Sequence, residues 1–147
     1  MTAKKQPNRL TRPTAGAAAA LRWKLFEQTP VFTRRWDQLG LTDDDLRHLE
    51  DTLLKHPDAG DTMAGTGGMR KLRLAPLGSG RGKSGGCRLC YKHFKEFGRI
   101  LLLIVYSKSE AADLSDAARK HCRALIAEAE ALLRSKAEDD EHARPRA

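Results

Sequence analysis

Aromatic residues are scarce, at 5% of the chain, and so is any long apolar run: Ile100–Tyr106 is only seven residues. A membrane-spanning helix needs about 20 predominantly apolar residues, so none is expected. Cysteine is scarce too. Cys87, Cys90 and Cys122 make an odd count, which speaks against a secreted disulfide framework. The Ala-rich stretch 15–21 runs straight into Arg22 and Lys24, unlike a secretory leader. A soluble, cytoplasmic protein with no membrane partner is the expectation. Acid is missing where base is concentrated. From Met69 to Arg99, nine basic residues stand against Glu96 alone, an excess equal to the +8 net charge of the whole 147-residue chain. Such a local excess attracts polyanions, and nucleic acid is the obvious one.

One domain with tails fits this length. Residues 1–20 carry Lys4, Lys5, Arg9 and Arg12 with no apolar period, and read as a disordered basic arm. Residues 21–136 read as the folded domain, and 137–147 as a loose charged tail. Within the domain, Trp23–Glu27 reads as a first strand. Thr29-Pro30 offers a helix cap followed by proline at the first helical position, and Gly40 stops that helix. Thr42 with Asp43, Asp44 and Asp45 opens a second helix, whose stripe is Leu46, Leu49, Leu53 and Leu54 and whose end is Pro57. A Gly-rich connection spans 58–68. Leu72 and Leu74 alternate with Lys71 and Arg73, as in a half-buried strand. After the Gly-rich loop 76–86, Cys87–His93 and Arg99–Ser107 read as two more strands. Ser115 caps a long last helix. The outline β-α-α-β-β-β-α predicts an α+β domain: a small, mostly antiparallel, four-stranded sheet packed with helices.

Three motifs fail on inspection. Gly78–Ser84 has the look of a phosphate loop, but Leu77 stands where the motif needs glycine, and a strand follows where a helix must begin. Cys87-x-x-Cys90-x-x-His93 has zinc-knuckle spacing, yet residues three apart on a strand face opposite ways. The five histidines show no metal spacing, and His93 alone keeps a catalytic reading. No paired carboxylates accompany the basic segment, so neither a metal nor a cofactor is expected.

The basic residues themselves are the candidates. Lys71 and Arg73 share a strand face, Arg88 lies on the polar phase of its strand, and Lys108 follows the central strand. Arg70, Arg81 and Lys83 add phosphate contacts, and Tyr91 and Tyr106 add aromatic surface for RNA binding. This set suits metal-free RNA cleavage. A lysine crowded by cations takes the proton of a ribose 2′-OH, and arginines stabilise charge on the phosphoryl oxygens. Aromatic rings stack on splayed bases. The same set also suits a passive RNA-binding face.

Gly65-Thr-Gly-Gly-Met-Arg-Lys-Leu-Arg-Leu74, Gly82–Tyr91 and Leu102–Glu110 with Asp113-Leu114, in that order, resemble the RelE/HigB-type toxins of type II toxin–antitoxin modules over about residues 23–134. The resemblance implies a RelE-like fold and a ribosome-dependent endoribonuclease that cuts mRNA in the A site and inhibits translation. It also implies a cognate antitoxin, of helix-turn-helix type in the HigB branch. Lys71 and Arg73 match the family's paired basic positions, Arg88 the arginine of the next strand, and Lys108 a basic position that is often arginine. The family's C-terminal catalytic tyrosine has no match, because Leu114 stands near its place. Tyr91, Tyr106 or a lysine is left to fill that role. A gyrase inhibitor of the ParE type, or a non-catalytic RNA-binding regulator, is the alternative.

Overall fold

The structure is a computed structural model that describes residues 25–74, 86–111 and 113–143. The basic arm expected at 1–20 lies outside the described residues, as do Arg81 and Lys83. Phe26–Gln28 forms strand β1. The Thr29 hydroxyl then accepts a hydrogen bond from the Phe32 amide, and Pro30 opens helix α1, Pro30–Gln38. Proline costs nothing there, because the first-turn amides have no intrahelical partner. The Thr42 hydroxyl accepts from the Asp45 amide while the Asp45 carboxylate accepts from the Thr42 amide. This reciprocal box starts helix α2, Asp43–Lys55.

Four further strands complete the sheet: β2 Asp61–Thr62, β3 Arg70–Leu74, β4 Cys87–Phe94 and β5 Arg99–Ser107. A 3₁₀ turn, Lys95–Phe97, joins the last two. The order is β1-β5-β4-β3-β2, with β1 parallel to β5 and the other pairs antiparallel. The protein is thus α+β, as the sequence outline predicts, with five strands rather than four. The extra strand, β2, lies inside the stretch expected to be a Gly-rich connection. Two residues pairing with Lys71 and Arg70 are too few to leave a period-2 pattern in the sequence.

Helices cover both faces of the sheet. Leu72, Leu74, Leu89, Tyr91, Leu102 and Val105 pack with Phe32, Trp36, Leu46, Leu49 and Leu53 of α1 and α2. On the other face, Met69, Cys90, Phe94, Leu101, Leu103 and Tyr106 pack with Cys122 and Ile126 of the last helix, α3, Asp116–Ala143. The Ser115 hydroxyl caps α3 by accepting from the Ala118 amide. Residues 137–143, expected to be part of a loose tail, instead continue this helix. No glycine or proline interrupts 116–143, and Ala, Leu, Glu, Lys and Arg, all good helix formers, make up most of it. None of the described helices is long and apolar enough to cross a membrane.

Candidate functional site

The site begins with an irregularity in β5. Cys90 is paired with Ile104, but the next β4 residue, Tyr91, is paired with Leu102. Leu103 is therefore an extra residue, a β-bulge. Before it, Ile100 and Leu102 face α1 and α2; after it, Val105 does. Simple alternation from Ile100 would send Tyr106 to that same face. The bulge reverses the phase and sends Tyr106 to the α3 face. Its position is pinned by Thr29, whose hydroxyl donates to the Leu103 carbonyl at 2.7 Å while capping α1. A carbonyl that the bulge would leave unpaired is thereby satisfied.

Because of this reversal, three polar side chains line up across the sheet. Arg73 is opposite Arg88, and Arg88 is opposite Tyr106. The next row holds Lys71 opposite Cys90. All four β3 and β4 residues lie on the phase opposite to Leu72, Leu74 and Leu89, which places them on the α3 face. Lys71 Nζ lies 3.2 Å from Asp113 Oδ1, and an Arg119 guanidinium nitrogen lies 2.8 Å from Asp113 Oδ2. Asp113 comes from the connection between β5 and α3, and Arg119 from the first turns of α3. The Leu114 amide donates to Asp113 Oδ1. That bond, with Lys71 and Arg119, holds the Asp113 carboxyl below the usual carboxylate range.

Tyr106 is the odd member of this group. It is 5% exposed, and its hydroxyl is a buried polar atom with no hydrogen-bond partner among the described residues. Burial pushes its phenol up to about 12. It therefore stays protonated at neutral pH and is suited to donate a hydrogen bond rather than to act as a base. Asp113, Arg88 and Arg119 all act on it electrostatically.

The remaining sequence candidates fall elsewhere. Lys108 is exposed in the turn after β5, where its amide donates to the Gly86 carbonyl. Arg70 is on the other phase of β3. Its guanidinium donates to the Asp58 and Gly60 carbonyls and pairs with the Asp58 carboxylate. Tyr91, expected to offer an aromatic surface, has no exposed surface and packs against α1 and α2. Its hydroxyl donates to the Pro57 carbonyl at 2.8 Å and accepts from the Gly60 amide at 3.0 Å. A ring so enclosed is a strut for the 57–60 segment and has no face for a base. His93, read as a possible catalytic group, lies with Arg70 beside Asp58, at 2.9 Å. Cys87 and Cys90 belong to opposite faces, as residues three apart on a strand must. Burial pushes the Cys90 thiol up to about 12, which makes it an inert packing group. Among the described residues, no three His, Cys, Asp or Glu side chains converge.

Sequence reasoning singled out Lys71, Arg73 and Arg88, and missed Asp113 beside Lys71 and Arg119 beside Asp113. The signal for Arg119 was its place just inside a capped helix; nothing local said which strand that turn would meet.

No family model matches the chain. Among solved structures it is similar to the E. coli toxin RelE in the free state, a double arginine-to-alanine mutant. The identity is 17% and the TM-score 0.43, covering 60% of this chain and 86% of that one.

Proposed function

We propose that this chain is the toxin of a type II toxin–antitoxin module, and that it cleaves mRNA in the ribosomal A site without a metal ion. The observation that carries the reading is the row Arg73–Arg88–Tyr106 with Lys71 beside it, on one face of the sheet. Supporting it are the three ordered sequence motifs that resemble RelE/HigB-type toxins. In the proposed reaction the ribose 2′-OH attacks the adjacent phosphorus, giving a cyclic phosphate and a free 5′-OH. Arg73 and Arg88 meet the negative charge that develops on the phosphoryl oxygens. Lys71 adds a further positive charge at the phosphate, and the departing 5′-oxygen gains a proton as the 2′-OH gives one up. Arg70 and Lys108, outside the row, and Arg81 and Lys83 contribute phosphate attraction. A cognate antitoxin, of helix-turn-helix type, would hold the toxin inactive in the cell.

The test is induction of the chain alone, with mapping of RNA 5′ ends, followed by cleavage by purified protein on programmed ribosomes with and without EDTA. Arrested translation, cuts inside translated regions and EDTA resistance are expected. Intact mRNA with arrested DNA supercoiling would instead establish the gyrase alternative. RNA binding without cuts would establish the regulatory one.

A further inference from the structure

The contacts of Asp113 have the form of an anion site that the protein fills with its own side chain. A carboxylate oxygen lies against Lys71 Nζ, and the other lies against the Arg119 guanidinium. Arg73 and Arg88 stand on the same sheet face. Two cations thus hold this one acid, and two more lie on the sheet face from which it is held. On the same face of the sheet is the Tyr106 hydroxyl, enclosed and without a partner among the described residues. Native proteins seldom leave a buried hydroxyl unpaired, because the group forfeits its water without recompense. A phenylalanine would fill the same space without that penalty. The hydroxyl therefore points to a ligand with a hydrogen-bond acceptor, and Lys71 and Arg119 favour one that carries negative charge.

We propose that the Asp113 carboxylate occupies the seat of a phosphoryl group, whose ligands are Lys71, Arg119 and the Tyr106 hydroxyl, and that phosphate takes this seat by displacing it. A phosphoryl group has more oxygens than a carboxylate and spreads them tetrahedrally. It accepts from a guanidinium, an ammonium and a phenol at once, where the planar carboxylate leaves the phenol unserved. Displacement is feasible because Asp113 is surface-accessible, with its side chain 45% exposed. It is also tethered locally, through the Leu114 amide. The displaced carboxylate can turn to water without disturbing the cap of α3, which belongs to Ser115. That the phosphoryl group is a phosphodiester of RNA rests on the proposed function. That the seat takes a phosphoryl group does not.

The experiment titrates the full chain with inorganic phosphate and, separately, with a short RNA whose 2′-OH groups are replaced by hydrogen so that it cannot be cut. Wild type is compared with Asp113→Asn, Tyr106→Phe and Arg119→Ala, each also followed by thermal melting. Asp113→Asn keeps the oxygen that the Leu114 amide needs and removes the competing charge. It should tighten phosphate binding about fivefold, the scale of one partly exposed ion pair. Tyr106→Phe should weaken binding while melting no lower than wild type, and Arg119→Ala should also weaken it. Unchanged or weaker binding of both probes by Asp113→Asn would overturn the seat and leave the ribosome cleavage test untouched. Tightening for inorganic phosphate but not for the oligonucleotide would uphold the seat and count against the RNA reading.

Discussion

Tyr91 and Tyr106 are buried phenols on neighbouring strands, and they differ in the face they pack on and in what their hydroxyls meet. The Tyr91 hydroxyl is used twice, by Pro57 and by Gly60. The Tyr106 hydroxyl is used by nothing among the described residues. Tyr91 faces the two short helices and ties down the segment that leads into β2. Tyr106 faces the long helix, stands opposite Arg88 across the strands, and feels the charges of Asp113 and Arg119. The comparison teaches where this fold spends polar groups on stability and where it holds them in reserve. A hydroxyl with both partners in place is part of the scaffold. One kept dry and unpaired among the described residues, opposite Arg88, is the group that the proposed phosphate seat would use.

Substitutions at each tyrosine's support should separate the two roles. The largest effect is expected at Gly60, where an added Cβ would lie 2.7 Å from the Lys71 carbonyl oxygen and 3.2 Å from the Tyr91 ring. Backbone cannot yield as a side-chain end can, so Gly60→Ala should destabilise by about 3 kcal/mol in chemical denaturation. Next is Thr29→Val, which removes the cap of α1 and the donor to the Leu103 carbonyl together. It should cost about 2 kcal/mol. It should also weaken phosphate binding, because the bulge it releases is what aims Tyr106. A variant that lost stability but bound phosphate normally would show that the bulge holds its shape without Thr29.

The two tyrosines can then be compared directly. Tyr91→Phe leaves the Gly60 amide and the Pro57 carbonyl without their partner and should cost about 1–2 kcal/mol. Tyr106→Phe leaves nothing unpaired and should fall within about half a kcal/mol of wild type, or above it. Equal losses at both positions would mean that the two hydroxyls do the same structural work.

The smallest expected effect is a pH dependence at Asp113. Its folded-state pKa is depressed below the ordinary 3.8, first by the Leu114 amide and then by Lys71 and Arg119. A depressed carboxyl contributes stability that is fully present above its unfolded value and is lost as pH falls through the folded one. Asp113→Asn should therefore melt slightly below wild type at neutral pH, and the gap should close as the pH drops below 3.8. The gap is small because the carboxylate is partly exposed and screened. A gap that persisted in acid would mean that the amide substitution acts through packing.

Much of this was legible in the sequence because it is written in local rules. Thr29-Pro30 and the Thr42–Asp45 box mark helix starts through bonds spanning three residues. The alternation around Leu72 and Leu74 puts Lys71 and Arg73 on one face, and the same logic places Arg88. What was not legible depends on distant pairings. The bulge at Leu103 is a relation between β4 and β5, and Ile100–Tyr106 is too uniformly apolar to reveal a change of phase. Tyr91 looked like a ligand-facing ring because its neighbours are basic. Its burial follows from Pro57 and Gly60, more than thirty residues earlier. Asp113 meets Lys71 across 42 positions, a contact that only the packing of α3 on the sheet creates.

The central claim is that the strand-face cations cleave ribosome-bound mRNA. Its most direct measurement is the single-turnover cleavage rate on programmed ribosomes, in EDTA, for wild type and Arg88→Ala, with a thermal melt of each. Arg88 lies on the polar phase of β4, between Arg73 and Tyr106 in the pairing of the strands. The account predicts wild-type cleavage and a loss of about a hundredfold or more on truncation, with the melt little changed. Cleavage by Arg88→Ala at the wild-type rate, or no cleavage by wild type itself, would contradict it.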